Sequence, residues 1–128
     1  MDLQNEFKKI IRQLKDIKEI KAIYLFGSVA KERATPVSDI DICVITDKIS
    51  EDLKAKISSV SSEKINLSLF WDLPINIQIR IFKEGKKILV RDEKFLSSLR
   101  SETISRFLDF KPIIKRYYKK ALGMKYEV

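Results

Sequence analysis

The stretch LFGSVAKERATPVSDIDICVI, residues 25–45, holds the side chains of this 128-residue chain best placed to do chemistry. Asp39 and Asp41 alternate with Ile40, Ile42 and Val44, a strand pattern that sends both carboxylates to one face. Along that face they stand roughly 6.5–7 Å apart. Carboxylates set beside apolar sheet cost several kcal/mol unless something offsets their charge. Hard divalent cations such as Mg²⁺ suit the arrangement, with phosphates and waters completing the octahedron. Two such ions about 3.5–4 Å apart can hold both oxygens of a phosphoryl displacement. Gly27 and Ser28 come shortly before, at the end of another apolar run. A glycine lets a phosphate approach the backbone, and free N–H groups in a turn attract the anion. The Ser28 hydroxyl adds a donor, and Lys31 is placed to offset triphosphate charge.

Composition narrows the chemistry further. The chain has no histidine, which removes Ser-His-Asp and Cys-His catalysis and histidine-ligated zinc. Its single cysteine, Cys43, excludes an internal disulfide, and its place two residues beyond Asp41 reads as a small buried side chain. A hydrophobic fraction of 45% supports a packed core, and no apolar run approaches a membrane span. No secretory leader is evident in MDLQNEFKKI, so a cytoplasmic protein is expected. The net charge of +8 is compatible with an anionic partner, although a heavily charged, Lys- and Glu-rich surface accounts for most of it.

The elements that must position these residues follow from periodicity. Helical spacing runs from Asp2 to Ile17, and strand patterns cover Ala22–Phe26, Ser38–Thr46 and Lys64–Trp71. A short helix is expected over Ser28–Arg33, and Ser50 caps a helix in SEDLKAKISSV. A helix over Ile75–Glu84 closes at Gly85, and Lys86–Arg91 forms an edge strand. Asp92 to Leu122 is helical, with Pro112 expected to kink or break it near Phe110-Lys111. Ile113, Ile114, Tyr117, Tyr118 and Ala121 make one stripe on that helix, expected as core rather than as a nucleic-acid platform. The fold class is α+β (mixed α/β): a mixed sheet of about four strands packed by helices. Residues 1–128 read as one domain, with a core over about 18–91 and a helical segment over 92–122.

With its residues in this order, GSVAKERATPVSDIDICVI resembles the signature of the minimal nucleotidyltransferases in the DNA polymerase beta superfamily. INLSLFWDLP, IRIFKEGKKILVRDE and FLDFKPIIKRYYKKAL resemble the downstream blocks of archaeal members. The resemblance implies a nucleotidyltransferase fold that takes Mg²⁺ or Mn²⁺ on Asp39 and Asp41. It implies ATP or another NTP held by Gly27, Ser28, Lys31 and Ser38, with AMP transferred to a hydroxyl. It further implies an antitoxin that adenylylates a tyrosine of a HEPN ribonuclease partner. Two positions depart from the pattern. Active members carry a third carboxylate on the next strand, where this chain has Asn66, and often a glycine where it has Glu32. An amide can ligate a cation but contributes no charge and is no general base. Glu63 has the opposite strand parity, and Asp72 lies too far along to substitute. The alternative is therefore an interaction protein that caps a HEPN-type partner without chemistry.

Overall fold

The computed structural model describes residues 3–27 and 40–123. The expected short helix over Ser28–Arg33 lies outside them, as do Ser28, Lys31, Glu32, Ser38 and Asp39.

Helix α1 (Leu3–Lys15) presents Ile10, Ile11 and Leu14 to the core and its charged residues to solvent. It ends two residues before the expected Ile17, because tighter bonds from Asp16 to Gln13 and from Ile17 to Leu14 close the last turn. Strand β1 (Ile20–Phe26) starts earlier than its pattern suggests, and β2 (Ile40–Thr46) follows. Ser50 caps α2 (Glu51–Ser58) as expected, its hydroxyl accepting from the Leu53 N–H at 3.1 Å. Such a cap contributes about 1 kcal/mol.

Strand β3 covers Ile65–Leu69, and a 3₁₀ turn over Phe70–Asp72 replaces the expected end of the strand. Side chains take up the backbone groups that pairing would have used. The Trp71 indole donates to the Thr46 carbonyl at 2.6 Å, and the Gln78 amide donates to the Phe70 carbonyl at 2.8 Å. Helix α3 (Ile75–Glu84) returns to the sheet and stops at Gly85, whose backbone is extended rather than left-handed. Space is the reason for glycine there. A Cβ would stand 2.5 Å from the Ile81 carbonyl oxygen and 3.1 Å from the Tyr24 ring. Strand β4 (Lys86–Val90) and the 30-residue helix α4 (Glu93–Leu122) complete the chain, with the Asp92 carboxylate accepting from the Phe95 N–H.

The sheet order is β3-β2-β1-β4, antiparallel except for the parallel β2–β3 pair, so β4 is an edge strand as expected. Alternation sorts the core into two layers. Ile40, Ile42 and Val44 pack with α1 and α2, while Cys43 and Ile45 pack with Tyr24, Phe70, Ile81, Leu96 and Leu99 beneath α3 and α4. Phe70 is edge-on to both Trp71 and Phe82, which joins the 3₁₀ turn to α3.

Two expectations for α4 change. The helix does not break at Pro112, which lies on the exposed side, where solvent can hydrate the Leu108 carbonyl that loses its donor. The stripe beyond Pro112 is not core along its length. Ile113 is 55% and Tyr117 60% exposed, because the apolar layer under α4 ends near Phe107 and Ile114. The Tyr118 side chain lies outside the description.

A long-range tie closes the fold. The Arg91 guanidinium, just after β4, donates to the carbonyls of Lys15 and Ile17 at the end of α1, and weakly to that of Ile20. Arg91→Ala is therefore expected to lower stability by about 1–2 kcal/mol in urea unfolding. Arg91→Lys should recover only part of the loss, since an ammonium lacks the forked geometry.

Candidate functional site

The candidate site is built by register. Asp41 lies opposite Phe26 on antiparallel β1 and opposite Asn66 on parallel β3. The three residues form one row across the sheet at the ends of their strands. Asp41 shares its face with Cys43, the layer beneath α3 and α4, and Phe26 packs against the margin of that layer. Cys43 is fully buried while Asp41 is partly exposed, so the face passes from apolar interior to carboxylate within two residues.

Contacts on Asp41 come from both neighbouring strands. Asn66 Nδ2 donates to Asp41 Oδ1 at 3.3 Å, a long hydrogen bond to a carboxylate oxygen. On the other side Gly27 has φ +79, and a Cβ built on it would stand 2.6 Å from Asp41 Oδ2. Only glycine gives both the left-handed backbone and the room. A carboxylate oxygen thus stands beside the point where a side chain at position 27 would begin, directly after β1.

Asp41 is the one member of the expected carboxylate pair among the described residues, and it stands against Gly27 and Asn66. Ser28, Lys31, Ser38 and Asp39 lie outside them, so the acid pair and the rest of the phosphate cradle remain expectations. Among the described residues no group of three or more Cys, Asp or Glu side chains could hold a metal. Asp41 and the Asn66 amide offer oxygen donors of the hard type Mg²⁺ takes. With Nδ2 toward Asp41, the Asn66 amide would have to turn over for its oxygen to share such an ion.

Among the described residues, the two other acids weighed for the row, Asp72 and Glu63, are engaged or exposed elsewhere. Asp72 lies in the 3₁₀ turn with its carboxylate 3.8 Å from the Lys54 ammonium, an exposed pair. Glu63 precedes β3 and is exposed. Cys43 is no nucleophile, since burial pushes its thiol well above the ordinary range. Phe26 is a neighbour that the motif alone leaves unnoticed, although its place just before Gly27 and its parity with Tyr24 carried the signal.

The comparisons with known proteins bear on this geometry. A family model described as polymerase beta, nucleotidyltransferase matches residues 8–94, a span that holds Gly27, Asp41 and Asn66. The chain belongs to this family. A chain from Methanocaldococcus jannaschii, named "Putative protein adenylyltransferase", is 33% identical over 79 residues. That alignment covers 62% of each chain, so this chain spans under two thirds of its relative's length. Among solved structures, a toxin–antitoxin with AMP-PNP is 22% identical, with a TM-score of 0.63 over 90% of this chain and 98% of that one. A tri-AMPylated Shewanella oneidensis HEPN toxin in complex with an MNT antitoxin contributes a chain that is 24% identical. Its TM-score is 0.60, over 88% of this chain and 96% of that one. At these identities the likeness establishes the nucleotidyltransferase fold, with its mixed sheet between helices.

Two outcomes check the local geometry. Gly27→Ala is expected to cost about 1–2 kcal/mol in urea unfolding, from backbone strain and displacement of Asp41. In an Asp41→Ala background the displacement cost should vanish and the loss shrink toward the backbone part, which a double-mutant cycle measures. The Cys43 thiol should resist iodoacetamide in the native protein and react only once urea unfolds it.

Proposed function

We propose that this nucleotidyltransferase-family chain binds a magnesium (or manganese) nucleoside triphosphate and transfers a nucleoside monophosphate, AMP from ATP, to a hydroxyl on a partner protein. The observation that carries the reading is Asp41 seated over Gly27 and beside Asn66, inside the span that matches the family. In this reading Asp39 and Asp41 hold the cation, and Gly27, Ser28, Lys31 and Ser38 receive the triphosphate. When bound, the cation supplies charge neutralisation at the phosphates. The acceptor oxygen forms a bond to the α-phosphorus, the bond to the β-phosphate bridge breaks, and pyrophosphate leaves. The hydroxyl proton passes to a carboxylate or to water, since a neutral amide such as Asn66 cannot take it. Asn66 then steadies Asp41 without adding charge. Slow transfer is the consequence of lacking a third acid.

The proposed partner is a HEPN ribonuclease, neutralised by adenylylation of a tyrosine, and the proposed setting is the cytoplasm. Support comes from the likeness in fold to antitoxin chains of toxin–antitoxin complexes, one with AMP-PNP and one beside an AMPylated HEPN toxin. Among the described residues no helix is long and apolar enough to cross a membrane. One observation favours a second reading, capping without chemistry: the Asn66 amide already occupies an oxygen of Asp41.

Label transfer from α-³²P ATP with Mg²⁺ or Mn²⁺, in an extract of the source cells, tests the proposal. The natural chain should label a protein band that disappears with Asp41→Ala, and Asn66→Asp should raise the labelling at least roughly tenfold. Labelling by Asn66→Asp alone would identify the natural chain as a capping protein with a surviving nucleotide site. Labelling that persists in Asp41→Ala overturns the assignment of the site.

A further inference from the structure

Helices α3 and α4 enclose a cleft of about 380 Å³. Ile79 and Phe107 make its floor, both almost completely buried, and Phe82 and Ile104 line its walls. Its charged lining residues are Lys83 from α3 and Arg100 and Lys111 from α4, with no acid among them. On α4, the 39% exposed Ile104 and the 59% exposed Leu108 lie one turn apart between Arg100 and Lys111. The apolar strip therefore continues out of the cleft, flanked by cations.

We propose that this cleft is a docking groove for an acidic amphipathic helix of a partner protein. The form of the occupant follows from the walls. Both are helices whose backbone groups are already bonded, so an extended strand would find no edge to pair with. An apolar helix face fits the strip Ile104–Leu108 and the cleft beside it. Arg100 and Lys111 stand eleven residues apart on α4, about 16 Å along its axis. The occupant thus carries carboxylates about three turns apart that flank its apolar residues. Single-stranded nucleic acid is disfavoured by the floor, because Phe107 is only 5% exposed and cannot offer its ring for stacking. The groove lies outside the Phe26–Asp41–Asn66 row, and the inference does not depend on nucleotidyl transfer.

The test is selection from a yeast-displayed library of helical peptides of about 14 residues, with a fixed apolar stripe and randomised flanks. The expected winners carry Asp or Glu about three turns apart. They should lose at least roughly tenfold in affinity for the Arg100→Glu/Lys111→Glu chain, and Lys-bearing versions of the winners should recover it. Ile104→Asp, a single change at an exposed position, should also abolish binding while circular dichroism and melting temperature stay near the parent's. It serves alone if the double variant fails to fold. No binder above the unselected library, or winners that ignore these substitutions, overturns the proposal. So does an RNA oligonucleotide that binds the groove with steep salt dependence where no peptide does.

Discussion

Strand β2 has a neighbour on each edge and a helical layer on each face, and the remainder of the structure is organised by that enclosure. A strand in this position can carry an acidic side chain only where the enclosure stops, which is its first turn of pleat. Asp41 is there, at the last point before Cys43 and Ile45 enter the apolar layer. Pairing then leaves no freedom in its company. The antiparallel strand brings Phe26 and the glycine after it, and the parallel strand brings Asn66. A slip of one residue in either register would turn Asp41 into the layer of Ile42 and Val44, where an unpaired carboxylate is far costlier than any local contact could return.

The amide at position 66 changes the electrostatics of the row more than its shape. A third carboxylate beside Asp41 would repel it and depend on a cation to be tolerated. Asn66 instead donates to Asp41 and brings no like charge to the row. The exchange removes a repulsion from the row and, with it, one negative charge that a cation would seek. The 3₁₀ turn that follows β3 has a related effect, because it carries Asp72 away to Lys54 and leaves the row with no other acid from that strand.

Much of this was legible in the residues. The alternation around Asp41, the apolar run before Gly27 and the cap at Ser50 are local signals, and local signals decided those elements. The resemblance to the nucleotidyltransferases pointed to Asn66 as the partner position of Asp41, and parallel pairing makes the two neighbours. What escaped were outcomes decided by tertiary partners. Lys64–Trp71 looks like continuous strand, but Trp71 and Gln78 each take a carbonyl that only the folded chain presents. The stripe on α4 looks like core as far as Ala121, and pattern alone cannot tell where the layer beneath it runs out. The groove was invisible for a similar reason, since its cations come from two helices whose adjacency no spacing encodes.

Arg91 gives the chain a particular order of completion. The carbonyls it donates to belong to residues 15, 17 and 20, more than seventy positions earlier. During synthesis α1 is made before β4, so the Arg91 bonds to the end of that helix form only once β4 has been made and has paired with β1. Helix α1 thus leaves the ribosome well before the residue that fastens its end. Until the fourth strand is in place, the carbonyls of residues 15, 17 and 20 have water as their partner in place of the guanidinium.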